Sequence, residues 1–294
     1  MTGNKMETTV KIGDSVIGNG NPAYFIAEIG INHNGDINIA KRLITLAAGA
    51  GCNAVKFQKR NPEVCVPLSQ RNLMRETPWG LITYFDYRFK VEFEEQEYAE
   101  IDTFCKSLNI TWFASPWDMD SVDFLEKFNI PCYKIPSAKL TDDKLLEHVR
   151  GKGMPVILST GMSSLEQLDH AVDILGKKDL ILLHCCSAYP ATYTDLNLRL
   201  IPYLKERYGV QVGYSGHETG LPSTVAATVL GACIVERHIT LDRAMWGSDH
   251  AASLEPSGLS RLMRDIRLVE KSMGEPVKRI LESEEPIIKR LRNV

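Results

Sequence analysis

Eight short runs of β-branched and apolar residues recur along the chain, at residues 24–29, 54–57, 111–114, 132–135, 156–159, 180–184, 212–214 and 233–237. Each is followed by a segment with helical periodicity. The runs are continuous rather than alternating, the pattern of parallel strands covered on both faces. The segments between them carry helix signals. Asp36 is placed to cap a helix whose inward stripe is Ile39, Leu43, Leu46, Ala47 and Ala50. Ser163 with Glu166 reads as a capping box ahead of Leu168, Val172 and Leu175. Eight strand–helix units are the count of an α/β protein with a (β/α)8 TIM barrel. A doubly wound sheet competes, because strand order is not written in a sequence. The 294 residues suit the barrel better, as one domain over residues 1–294.

Two segments fall outside the repeat. Residues 8–17, with Gly13-Asp14 as the turn, predict an N-terminal β-hairpin (about 8–18) that plugs the barrel's bottom. After the second run, residues 60–92 form an excursion far longer than an ordinary connection and hold Pro62, Pro67, Pro78 and Trp79. Loops of that size are commonly functional.

Charge and cysteine usage narrow the function. The chain carries 34 Lys and Arg against 37 Asp and Glu, a net charge of −3, so no basic excess points to nucleic acid. No apolar run approaches the ~18 residues of a membrane span, and the polar opening is unlike a signal peptide. The cysteines (Cys52, Cys65, Cys105, Cys132, Cys185, Cys186 and Cys233) are odd in number and irregularly spaced, mostly inside apolar runs. They read as reduced, buried small residues, which places the expectation in the cytoplasm.

In a barrel the chemistry collects where strands end. Here every end is polar: Glu28 at the end of the first run, Lys56 and Gln58 at the second, Ser115 at the third, Lys134 and Ser137 at the fourth, and Ser159 at the fifth. His184 closes the sixth with Ser187 and Tyr189 just beyond, Ser215 and His217 close the seventh, and Glu236 and His238 close the eighth. Two lysines following apolar runs, among several hydroxyls, make a site for a small, multiply charged anion. His217 and His238 end adjacent strands, so both imidazoles fall within reach of one divalent ion with positions left for water or substrate, which suits Mn²⁺ or a similar ion. His33 and His184 are weaker candidates, and His148 and His170 read as solvated helix positions. No GxGxxG follows the first run, and neither GxxxxGK-Ser/Thr nor a GxSxG elbow occurs anywhere.

Seven segments together resemble the sialic acid (N-acetylneuraminate) synthase family: Ala27-Glu28-Ile29-Gly30-Ile31-Asn32-His33-Asn34-Gly35, Val55-Lys56-Phe57-Gln58, Tyr133-Lys134-Ile135-Pro136-Ser137, Ser159-Thr160-Gly161-Met162, His184-Cys185 with Tyr189-Pro190, Tyr214-Ser215-Gly216-His217 and Glu236-Arg237-His238. The resemblance spans about residues 22–290. It implies condensation of phosphoenolpyruvate with an N-acylated amino-sugar aldehyde, N-acetylmannosamine or a relative. The products are a sialic or related nonulosonic acid and phosphate. It implies Mn²⁺, or another divalent cation such as Mg²⁺ or Co²⁺, on His217 and His238, and a homo-oligomer, a dimer. Lys56, Lys134, Ser115, Ser137 and Ser215 then hold phosphoenolpyruvate; Gln58, Tyr189 and Asp249 contact the sugar; Ser187 joins the substrate-binding set; and Glu28 is a site carboxylate that orients or deprotonates water.

Two departures stand out. Many members end in a small antifreeze-like domain, whereas this sequence stops at Val294, soon after Glu285-Pro286, so a single-domain form is expected in which the 60–92 excursion takes over part of the lid's work. Many members also carry an acidic residue where Lys139 stands. The competing enzyme is a pyruvate-dependent aldolase with a Schiff base on Lys134 or Lys56.

Overall fold

The structure, a computed structural model, describes residues 9–292. An antiparallel hairpin comes first, β1 (Val10–Ile12) and β2 (Ser15–Ile17); Thr8, the first residue of the expected hairpin, lies outside the described residues. Eight parallel strands follow: β3 (Tyr24–Gly30), β4 (Ala54–Lys59), β7 (Thr111–Pro116), β8 (Tyr133–Ile135), β9 (Val156–Ser159), β10 (Leu180–Cys185), β11 (Gln211–Gly216) and β12 (Ile234–His238). A second hairpin, β5 (Met74–Thr77) and β6 (Gly80–Thr83), interrupts the series. The large sheet runs β7-β4-β3-β12-β11-β10-β9-β8, and its end strands β7 and β8 lie side by side, so the sheet bends round into a nearly closed barrel.

All the barrel strands are buried almost from end to end, which is why their sequences are apolar without alternation. Most run one or two residues beyond the apolar runs, because the polar residues at their C-terminal ends stay in the ladder: Gln58 pairs with Ser115 and His238 with Glu28. The first helix (Ile37–Gly49) is capped by Asp36, whose carboxylate accepts from Asn38 N. Its most buried stripe is Ala40, Leu43, Ile44 and Ala47, with Ile39, Leu46 and Ala50 only partly covered. The expected capping box is displaced by one residue. Ser164 and Gln167 form it, while the Ser163 hydroxyl turns back to Gly161 O.

Val10, Ile12 and Ile17 of the first hairpin belong to the core, and Gly13 reaches toward Pro131 just ahead of β8. The chain leaves the hairpin at Gly18 with φ +90°, a backbone conformation that favours glycine, and a Cβ there would stand 2.4 Å from the Gln211 side chain at the foot of β11. The hairpin therefore covers the N-terminal end of the ring, opposite the polar strand ends.

The 60–92 excursion is structured. Two one-turn helices (Pro62–Cys65 and Leu68–Arg71), the β5–β6 hairpin and a helix (Tyr84–Val91) fill it. Trp79 and Tyr87 rest edge-on against Trp246 in the loop after β12, at 6.4 and 5.2 Å between ring centroids. That contact ties the excursion to the loop after β12, at the C-terminal end of the ring.

Candidate active site

Glu28, Lys56, Gln58, Ser115, Lys134, Ser137, Ser187, Tyr189, Ser215, His217 and His238 line one cavity of about 180 Å³ at the C-terminal mouth. Asp249 stands at its rim, with Oδ2 3.9 Å from His238 Nδ1. All twelve residues singled out from the sequence thus come to one place. A larger cavity of about 690 Å³ opens at the other end of the barrel and shares none of them.

An ionic chain crosses the floor. Lys56 Nζ sits 2.8 Å from Glu28 Oε2 and donates to Ser115 Oγ at 2.8 Å. Lys134 Nζ donates to Ser159 Oγ at 2.7 Å. Glu236 lies between the two ammonium groups, 3.8 Å from Lys56 and 3.6 Å from Lys134, and accepts from Ser215 Oγ at 3.1 Å. Glu28 Oε1 accepts from Gln58 Nε2 at 2.9 Å. Burial pushes the Glu28 carboxyl up to about 7 against the pull of Lys56, and the neighbouring Glu236 charge adds to the rise. Burial acts upward on Glu236 too, but Lys134 and Lys56 overcome it and hold that carboxyl down at about 2. Lys134 is itself lowered by burial against the attraction of Glu236.

The two imidazoles face each other with ring centroids 5.6 Å apart, and Tyr189 packs 4.1 Å from His217 and 5.8 Å from His238. His217 Nδ1 is 2.6 Å from Cys186 O. A carbonyl only accepts, so Nδ1 carries the proton and Nε2 keeps a lone pair. Burial, helped by His238, pushes the His217 ring down to about 4, and burial lowers His238 against the pull of Asp249. Both shifts favour the neutral ring at pH 7. His238 Nδ1 is buried without a hydrogen-bond partner. Neutral imidazoles with an unpartnered ring nitrogen are what an open divalent-cation site needs. Among the described residues no group of three or more His, Cys, Asp or Glu side chains forms a closed cage. The donor set therefore fits an ion that completes its shell with water and substrate oxygens.

The weaker histidine candidates have other partners. His33 is stacked 4.0 Å from Phe93 and pushed down to about 3 by burial, and His184 Nε2 meets Leu196 O at 2.7 Å. His148 and His170 pair with Asp123 and Asp143 toward the outside. Glu236 and Ser159, which hold the lysines, are absent from the set chosen by sequence although both close strands. The signal was present: Glu236 and His238 are two apart on one strand and so share a face.

The barrel and the side chains at its mouth define an enzyme-like site that gathers two ammonium groups, serine hydroxyls and two imidazoles where the strands end. The chain belongs to the NeuB family, whose model matches residues 43–278. It is 40% identical over 273 residues to the N-acetylneuraminate-9-phosphate synthase of Mus musculus, covering 91% of this chain and 76% of that protein. It is 37% identical to the N,N'-diacetyllegionaminic acid synthase of Campylobacter jejuni, covering 91% and 82%. The crystal structure of an N-acetylneuraminic acid synthetase from Leptospira borgpetersenii, in complex with citrate, superimposes with a TM-score of 0.86 at 33% identity, covering 98% of this chain and 99% of that one. The chain is accordingly a transferase of the sialic and nonulosonic acid synthase kind. No helix among the described residues is long and apolar enough to cross a membrane.

Proposed function

We propose that the chain joins phosphoenolpyruvate to the open-chain aldehyde of an N-acyl amino sugar, N-acetylmannosamine or a relative, releasing phosphate. The observation that carries this is the cavity itself, where two ammonium groups and the hydroxyls of Ser115, Ser137 and Ser215 stand beside two neutral imidazoles. Lys56, Lys134 and the three serines hold the phosphate and carboxylate of phosphoenolpyruvate. Gln58, Ser187, Tyr189 and Asp249 face the sugar. The methylene carbon attacks the aldehyde carbon, a C–C bond forms, and positive charge develops at C2. Water adds at C2; one of its protons ends on the former aldehyde oxygen. The adduct then expels phosphate by C–O cleavage, leaving the 2-keto acid. Glu28, whose carboxyl sits near 7, is suited to take and return the water proton. His217 and His238 would hold Mn²⁺ or a similar divalent ion. When bound, such an ion polarises the sugar's carbonyl.

A second reading has one observation in its favour: burial lowers Lys134, as a Schiff-base lysine requires. Against it, Lys134 is paired with Glu236 and donates to Ser159. A phosphate-release assay with phosphoenolpyruvate and a panel of N-acetylated hexosamines, with and without Mn²⁺, separates the two. Release that depends on both substrates, with no adduct trapped by borohydride and pyruvate, is the expected result. A trapped adduct, or no release with any acceptor, overturns the condensation reading.

The acceptor's far end meets the excursion. Trp246 bridges Trp79 and Tyr87 to the loop that carries Asp249, whereas Lys139, where many relatives are acidic, is turned to Asp142 at 3.0 Å. Each aromatic pair contributes about 0.5–1.5 kcal/mol. Trp246→Ala is therefore expected to raise the acceptor KM about tenfold and leave that of phosphoenolpyruvate within about twofold. An equal rise in both, measured by steady-state kinetics, would show that the excursion does not act as the sugar's cover.

A further inference from the structure

Arg60, the first residue of the excursion, is buried although it carries a charge. Three contacts fix its guanidinium. It lies 3.9 Å over the Trp117 ring just past β7, its Nη1 is 3.7 Å from Glu92 Oε1, and its Nη2 donates to Gln58 Oε1. Glu92, the last residue of the excursion, also accepts from Arg60 N at 3.1 Å. The two ends of the excursion are thus tied together directly beside Gln58.

This arrangement decides which way the Gln58 amide points. With its oxygen held by a cation, its nitrogen faces Glu28 Oε1 at 2.9 Å. A flipped amide would set NH2 against the guanidinium and oxygen against the carboxylate, two repulsions in place of two hydrogen bonds. The chain then continues from Glu28 to Lys56 and from Lys56 to Ser115. We propose that Arg60 is a positioning residue which, through Gln58, holds Glu28 and Lys56 in the register the two substrates require. The proposal rests on the reading that Gln58 and Glu28 face those substrates. It also makes the excursion a mechanical part of the catalytic floor as well as a cover above it, since the guanidinium is gripped from the excursion's far end.

The amide can be watched without substrate. The chain has five glutamines, so selective ¹⁵N labelling with a Gln58→Leu control identifies the Gln58 side-chain signals. Wild type should show Nε2 protons displaced from free-amide shifts and slow to exchange with solvent. Arg60→Ala should return them to the shifts and exchange rate of a free amide, and Arg60→Lys, which keeps a donor for Oε1, should restore them. In phosphate-release kinetics, Arg60→Ala should lower kcat/KM for the acceptor about thirtyfold in the native background and less than about twofold in Gln58→Leu, because residues that act through one another are not additive. Unchanged amide signals in Arg60→Ala, or equal losses in the two backgrounds, overturn the proposal. If wild type turns over no acceptor while the amide signals behave as stated, the proposed reaction falls and the positioning role stands.

Discussion

Alanine at His217 or at His238 is expected to lower kcat by about three orders of magnitude with the fold intact. Lewis-acid activation of a carbonyl is worth several kcal/mol, and each ~1.4 kcal/mol is tenfold in rate. In the proposed site two imidazoles supply the protein's share of the ion's ligands, so losing one should also weaken Mn²⁺ binding by more than about a hundredfold in a titration followed by electron paramagnetic resonance. The scaffold should survive, because the strand ends are locked from the other face. Arg237, next to His238, is fully buried; its Nη1 is 3.3 Å from Glu218 Oε1, next to His217, and donates to Thr224 Oγ1 at 2.6 Å. The direct structural loss in His217→Ala is one hydrogen bond to Cys186 O, about 1 kcal/mol or a few degrees in Tm. Either variant working at near wild-type rate in chelated buffer would remove these histidines from the chemistry.

The barrel was legible because burial on both faces leaves parallel strands with uninterrupted apolar runs, and the mouth was legible because each run stops at a polar residue. What the sequence could not show is how those polar residues pair. Alternation puts Glu236 on the face of His238 and Arg237 on the other, but nothing in that string says that Glu236 lies between two lysines or that Arg237 meets Glu218. Pairing across the ring depends on strand order and stagger, which join Glu28 to Lys56 and to His238 in the ladder from positions far apart in the chain. The excursion hid its own order for a different reason. Its elements are short, and several of its apolar side chains, Leu68 and Leu81 among them, remain exposed, so no buried stripe marks them. The displaced capping box has a local cause: Ser163 and Ser164 are both competent caps, and the hydrogen bond from Ser163 to Gly161 O takes the first out of contention.

Methionine at Lys134 is expected to raise the KM for phosphoenolpyruvate about a hundredfold and to change the acceptor KM by less than about threefold, because truncating one partner of a buried charge pair costs about 2–5 kcal/mol. The argument is one of charge balance. Above about pH 7 Lys56 and Lys134 are matched by Glu28 and Glu236, so four ionised groups cancel. Removing Lys134 leaves two carboxylates against one ammonium, and an incoming anion meets a negative floor. Lys134→Gln, which can still donate to Ser159, serves where methionine fails to fold. The same balance fixes the sign of the pH response. Glu28, with its carboxyl pushed up to about 7, is protonated below that pH and ionised above it. Protonation gives the floor a net positive charge, so phosphoenolpyruvate should bind more tightly at pH 6 than at pH 8. The raised carboxyl also stabilises the fold at low pH, and that contribution is lost as pH rises through 7. Glu28→Gln holds the floor in its low-pH charge state throughout. Its KM for phosphoenolpyruvate should therefore be nearly level from pH 6 to 8 after correction for the phosphate's own ionisation, while that of wild type climbs. Parallel profiles for the two proteins would mean that Glu28 does not set the charge the anion meets.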